Sequence, residues 1–127
     1  MNFFMEKWLD GMTIYNKAIR DKIPEITKES GNNCNIKTLS DEKFLIELEK
    51  KLDEELIEYH ESKSVEELTD LIEIIQRIAE LKGIDNKTLQ ELQKQKAKKR
   101  GKFKKNLFLL ETDEKIWQKG FIINIKR

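Results

Sequence analysis

A chain of 127 residues has the size of one domain, and its 25 lysines and arginines against 24 aspartates and glutamates leave a net charge of +1, so no global charge selects a partner. Charged residues make up 39% of the chain and apolar ones 38%, a mix that suits a helical protein with heavily solvated faces. No run approaches the roughly 20 apolar residues that span a bilayer, the opening MNFFMEKWLDG carries acids where a signal peptide is basic, and the single Cys34 can make neither an internal disulfide nor a cysteine-rich zinc site. These features predict a cytoplasmic, membrane-free protein, with Cys34 a small half-buried side chain.

In NFFMEKWL the apolar positions recur as in an amphipathic turn, to be read as packing or subunit contact. Ile23-Pro24-Glu25 predicts a short helix with proline in its first turn, ended by Gly31. Ser40 followed by Asp41 and Glu42 opens a long helix, although Lys43 stands where a capping box would place glutamate or glutamine. Phe44, Leu45, Leu48, Leu52, Leu56 and Tyr59 then carry helical spacing to about Glu61. Ser64, with Glu67 completing a capping box, opens a second long helix whose Val65, Leu68, Leu71, Ile72, Ile75, Ile78 and Ala79 run towards Gly83. A link this short between long helices predicts an antiparallel hairpin. A third helix is expected from about Asn86 to Arg100, stopped by Gly101. Alternation around residues 35–39 and 106–111 is strand-like, and the two segments can pair as a small ribbon, while residues 120–125 read as an added strand. The fold class is therefore all-α, a helical bundle built on an antiparallel helix hairpin with short peripheral β-strands, in one domain spanning 1–127.

Charge is balanced overall but segregated along the chain. Residues 41–80 hold fourteen acids against five basic residues, whereas KQKAKKRGKFKK, residues 94–105, has eight basic residues and no acid. The two can collaborate around one polyanionic ligand with its cations, or be two solvated faces. Placement of the acids on the helices is more informative. At about 100° per residue, with Leu48 as zero, Glu55 falls near −20° inside the apolar stripe and Glu58 near −80° at its edge. On the second helix, with Leu68 as zero, Glu67 near −100° sits among Leu71, Ile78 and Ile74, and Asp70 near −160° flanks it. Each helix thus presents an inward and a rim carboxylate three residues apart.

Four carboxylates crowded together lose hydration and repel one another, so such a cluster needs cations or shared protons. Oxygen-only donors select magnesium, manganese or calcium over zinc. The alternative is that the helices are rotated from this wheel and the glutamates are solvated or paired with neighbouring lysines.

The residues themselves resemble a family. Tyr15-Asn16-Lys17-Ala18-Ile19-Arg20-Asp21-Lys22-Ile23-Pro24-Glu25-Ile26 is similar to the "YNKLVRDKIPEII" opening of a branch of the all-α nucleoside triphosphate pyrophosphatases, the MazG-like and phosphoribosyl-ATP pyrophosphohydrolase-like superfamily. Lys51-Leu52-Asp53-Glu54-Glu55-Leu56-Ile57-Glu58 resembles its first metal helix, Glu66-Glu67-Leu68-Thr69-Asp70-Leu71-Ile72-Glu73 its second, and Arg100-Gly101-Lys102-Phe103 with Leu107 its "RGGF…L" ending. Ala18-Ile19 replaces the usual Leu-Val, and Lys102 replaces the second glycine, which restricts the backbone there. The likeness covers residues 15 to about 110.

What the resemblance implies is magnesium-dependent cleavage of a nucleoside triphosphate between its α and β phosphates, giving monophosphate and pyrophosphate, as house-cleaning of unwanted nucleotides. It makes Glu55, Glu58, Glu67 and Asp70 the metal ligands and catalytic set, with Mg2+ or Mn2+ as cofactor. Glu54 and Glu73 become outer residues or bases, or solvated bystanders. Lys17, Arg20, Lys22, Lys98 and Arg100 become candidates for the phosphate oxygens. For Arg20 the plain alternative is a surface ion pair to Asp21 or Glu25.

Phosphoribosyl-ATP hydrolysis is the alternative within chemistry, and a basic helical module binding nucleic acid through residues 94–105 and Phe103 the alternative outside it. The apolar arc of residues 65–81, with Ile74 and Leu81 at its far edge, is wider than one short helix can cover and predicts a homo-oligomer. Trp8 and Trp117 read as buried anchors, and His60 as a bystander on a solvated turn.

Overall fold

In a computed structural model, the protein is described for the backbone of residues 7–9 and for residues 12–113. Two short strands, β1 (Lys7–Leu9) and β2 (Met12–Ile14), precede four helices: α1 (Ile23–Glu29), α2 (Asp41–Ser62), α3 (Val65–Leu81) and α4 (Asn86–Arg100). The chain divides into two compact units, Met1–Leu92 and Gln93–Arg127.

The helices begin and end where side-chain chemistry provides for their free backbone groups. Ser40 is extended (φ −66°, ψ 160°) and its Oγ accepts from the Lys43 N–H at 3.3 Å, which starts α2. Lys63 ends it in the left-handed region at φ 57°, donating its N–H to the Tyr59 carbonyl at 2.7 Å. Because only Lys63 and Ser64 separate α2 from α3, the two helices pack side by side as an antiparallel hairpin. At the far end of α3, Gly83 at φ 89° lets its own N–H reach the Glu80 carbonyl and the Ile84 N–H reach Ala79, both at 2.9 Å. That pair of bonds satisfies the last turn and reverses the chain. Asp85 then caps α4 through the Thr88 N–H at 2.8 Å, and hydrogen bonds from the Thr88 side chain and backbone hold the Asp85 carboxyl below its usual range.

Three of the sequence expectations change. Residues 35–39 and 106–111 are not strands; the ribbon is instead β1 against β2, antiparallel with Lys7 opposite Ile14 and Leu9 opposite Met12. Strands joined by two residues need little loop closure, whereas the other two segments lie far apart in sequence with most of the molecule between them. The part of NFFMEKWL that is described, Lys7–Leu9, is accordingly extended and not a helical turn. Cys34 is exposed. Trp117 and residues 120–125 lie outside the described residues, as does the side chain of Trp8.

The core sits where residues 15–22 cross the hairpin. Ala18 is buried with Leu48 of α2 and Ile74 of α3, and Phe44, Leu52, Ile78 and Leu81 pack around them. A small side chain at position 18 lets the crossing segment approach both helices. Its flanking cations are thereby delivered to the hairpin, one to each helix.

Candidate metal and phosphate site

Four side chains of α2 point into this crossing. Glu54, Glu55 and Glu58 stand three, four and seven residues after Lys51, which places the four on one strip of the helix. Glu54 and Glu55 are both buried, at 3% and 6% exposure, and Glu58 is half-buried. From α3, Glu67 and Asp70 approach the same strip, also half-buried.

The expected capping box at Ser64 is not formed, and its failure matters for the site. The Ser64 N–H donates to Ser62 Oγ at 3.1 Å, while Ser64 Oγ accepts from the Glu66 N–H at 3.2 Å. The Glu67 carboxylate, relieved of the capping role, joins the acidic cluster.

Carboxylate oxygens of Glu55, Glu67 and Asp70 lie within 4.8 Å of one another, and so do those of Glu54, Glu55 and Glu58. Glu55 belongs to both groups. Of the quartet expected from the sequence, Glu55, Glu67 and Asp70 meet across the two helices, while Glu58 lies with Glu54 and Glu55 on α2. Burial, the nearby charge of Glu58, and then those of Asp70 and Glu54 push the Glu55 carboxyl up to about 7 despite the opposing charge of Lys51. Burial, then Glu67 and Glu54, raises Glu58 as well.

Glu54 is the residue that sequence reasoning undervalued. It is neither solvated nor crowded only by acids: Lys17 Nζ lies 2.6 Å from its Oε2 and Lys51 Nζ 2.8 Å from its Oε1. Burial acts to raise its carboxyl, but the hydrogen bonds and charges of Lys17 and Lys51 outweigh it and hold the group below its ordinary value. The wheel carried the signal, because Lys51 falls on the same strip as the three glutamates. Lys51 also reaches Glu55 at 3.7 Å. Glu73 is exposed, as is His60.

The cations expected to meet phosphate are placed differently from one another. Asn16 at φ 47° turns the chain just before Lys17, a left-handed conformation that asparagine tolerates well. Lys17 is committed to Glu54, its Nζ 5.8 Å from the centre of the Tyr15 ring. Arg20 Nη2 donates to Asp70 Oδ1 at 2.6 Å, so its ion pair is to the acidic cluster and not to Asp21 or Glu25. Lys22 is exposed at the start of α1. Lys98 and Arg100 are exposed in the last turn of α4, within the second unit.

No family model matches the chain, and no solved structure matches it. A stretch of 42 residues is 48% identical to an uncharacterized protein of Mycolicibacterium smegmatis (strain ATCC 700084 / mc(2)155), covering 33% of this chain and 43% of that protein. Among the described residues, no helix is long and apolar enough to cross a membrane.

The donor set fits a hard divalent cation. It offers oxygen only, it overlaps two triads through a single glutamate, and burial with the charges of Glu58, Asp70 and Glu54 pushes that glutamate, Glu55, up to about 7.

Proposed function

We propose that the chain is a divalent-metal-dependent nucleoside triphosphate pyrophosphohydrolase, cleaving the α–β phosphoanhydride to nucleoside monophosphate and pyrophosphate. The observation that carries this reading is the meeting of Glu55 with Glu67 and Asp70 across the hairpin, within 4.8 Å, beside the Arg20 guanidinium. The resemblance of residues 15–26, 51–58, 66–73 and 100–107 to the MazG-like superfamily adds the substrate class.

Glu55, Glu58, Glu67 and Asp70 would hold Mg2+ or Mn2+. When bound, such an ion polarises phosphoryl oxygens and lowers the pKa of coordinated water. A carboxylate of the same cluster would accept the proton of the attacking water. Glu54 keeps Lys17 and Lys51 beside the cluster, and Lys51 in turn limits the repulsion felt by Glu55. The half-exposed Arg20 can exchange Asp70 for phosphate oxygens, which a planar guanidinium grips with two hydrogen bonds. Lys17, held on buried Glu54, acts in this reading as a positioning residue. Lys22 stays a candidate for phosphate, and the chain works in the cytoplasm on unwanted nucleotides.

The test is a pyrophosphate-release assay with Mg2+ or Mn2+ across canonical and modified nucleoside triphosphates and phosphoribosyl-ATP. Stoichiometric pyrophosphate with monophosphate from at least one of them is expected. Orthophosphate alone, or undiminished turnover in excess chelator, removes the reading.

A further inference from the structure

The carboxylates and cations described so far provide for phosphates and metal, and none of them provides for a base. A nucleobase is a flat aromatic ligand, and an aromatic side chain is the surface on which a base of any identity can stack. Among the described residues of the first unit, the phenylalanine and tyrosine rings are Tyr15, Phe44 and Tyr59. Phe44 packs against the buried core. Tyr59 is half-buried near the closed end of the hairpin, with Lys63 Nζ 5.6 Å from its ring centre.

Tyr15 is placed differently. It is 45% exposed, within reach of a planar ligand, yet it is tied to the acidic cluster. The tie runs through Lys17, whose Nζ is 5.8 Å from the Tyr15 ring centre and 2.6 Å from Glu54 Oε2. Glu54 in turn shares a group of carboxylates with Glu55 and Glu58. Asn16, left-handed at φ 47°, bends the chain between the tyrosine and the lysine. The ammonium that meets the ring is itself held on a buried carboxylate, and attraction of a cation for a π face favours a ring kept beside it. Three residues beyond Lys17 the same stretch delivers Arg20 to Asp70. Within six residues the chain therefore carries an aromatic ring and two cations to the carboxylates of the hairpin.

We propose that Tyr15 forms a nucleobase subsite, its ring stacking on the base of a nucleotide whose phosphates lie at the carboxylate cluster. The subsite rests on the proposed hydrolysis for the position of those phosphates. Only two short steps, 5.8 Å and 2.6 Å, separate the ring centre from the Glu54 carboxylate, so one nucleotide can engage both. Stacking uses the flat face of a base and leaves its edges unread. A subsite of this kind takes purines and pyrimidines alike, and it favours nucleotides over phosphate chains that bear no base.

Calorimetric titration of the full chain with Mg2+ and the α,β-methylene analogues of ATP and dTTP, whose cleavable anhydride is blocked, reads the subsite without turnover. Inorganic tripolyphosphate is the probe without a base. Tyr15→Leu removes the ring and keeps an apolar side chain, Tyr15→Phe keeps the ring, and circular dichroism checks that both variants fold. Tyr15→Leu is expected to weaken both analogues by about 5- to 150-fold, the range for loss of one base–aromatic stack, and to leave tripolyphosphate as in the wild type. Tyr15→Phe should bind every probe as the wild type does. In proton NMR the base protons of the bound analogues should move upfield under the ring current in the wild type and Tyr15→Phe, and not in Tyr15→Leu. An unshifted base in the wild type overturns the proposal, as does failure of either analogue to bind. Equal weakening of tripolyphosphate overturns it too, by making the ring a support for Lys17, and so does a Tyr15→Phe as weak as Tyr15→Leu, by assigning the contact to the hydroxyl. Orthophosphate alone from the parent triphosphates, with the base still stacked on Tyr15, removes the proposed hydrolysis and leaves the subsite standing.

Discussion

Glu54 and Glu55, adjacent in sequence and both buried on α2, are driven in opposite directions by their surroundings. Glu54 lies 2.6 Å from Lys17 and 2.8 Å from Lys51 and is held as a carboxylate, whereas burial beside Glu58 and Asp70 pushes Glu55 up to about 7. One structural ion pair and one frustrated acid therefore share a single turn. Their contributions to stability run in opposite senses with pH.

For Glu55 the folded value lies above the unfolded 4.5, so its carboxyl favours folding fully below that value and withdraws its support as pH rises through about 7. Glu55→Gln should therefore stabilise the metal-free protein at pH 8, by about 1–3 kcal/mol, and change little at pH 4.5. Thermal unfolding in excess chelator at the two pH values measures this, and an equal effect at both would contradict the crowded-acid account. Turnover of the same variant should fall at least tenfold.

Glu54 obeys the reverse rule: its folded value is lowered, so its stabilisation is present above the unfolded value and lost as pH falls through the folded one. Glu54→Gln leaves two lysines without their shared carboxylate. We expect a loss of about 2–3 kcal/mol at pH 7, below the cost for a completely buried pair because both lysines keep part of their surface in water. Glu73→Gln, on the exposed side of α3, should stay within about 0.5 kcal/mol of wild type. Urea unfolding of the two variants side by side provides the comparison.

Divalent cation should raise the melting temperature of the wild type, because an ion bound by the folded carboxylates and not by the unfolded chain stabilises by mass action. At a hundredfold excess over the dissociation constant the gain is about 2.7 kcal/mol. The gain should be larger at pH 8 than at pH 5.5, where Glu55 is protonated and a proton competes with the metal. Glu67→Gln should diminish it. Calorimetric scans with Mg2+, Mn2+ and chelator would show whether the cluster binds metal at all.

Arg20 donates to Asp70 at 2.6 Å across a partly exposed pair, so Arg20→Ala should cost at most about 1 kcal/mol of stability. If the guanidinium transfers to phosphate during turnover, kcat/KM for the nucleotide should drop about 10- to 100-fold while metal affinity stays within about threefold. Steady-state kinetics together with calorimetric metal titration separates the two effects. Unaltered kinetics would confine Arg20 to the ion pair.

Much of this architecture is written locally. Ser40, Ser64 and Asp85 supply caps, Gly83 and Gly101 supply left-handed stops, and the apolar spacing between them defines α2, α3 and α4 with boundaries within about a residue of those expected. Inward placement of Glu55 and Glu67 is a consequence of helical period and needs no knowledge of neighbours. The ribbon of β1 and β2 was not expected from the apolar spacing of residues 2–9, which reads as an amphipathic turn, although Asp10-Gly11 between the strands is a pair favoured in two-residue hairpin loops.

What the sequence could not decide is which cation meets which acid. Lys17 and Glu54 are 37 residues apart, and Arg20 and Asp70 are 50 apart, so their pairing depends on how the segment bearing Ala18 crosses the hairpin. Helical period fixes the face on which a side chain stands, but the partner it finds there is set by packing between elements. Two adjacent glutamates of identical chemistry thus acquire opposite charge preferences, because one lies under the crossing lysine and the other faces the carboxylates of α3.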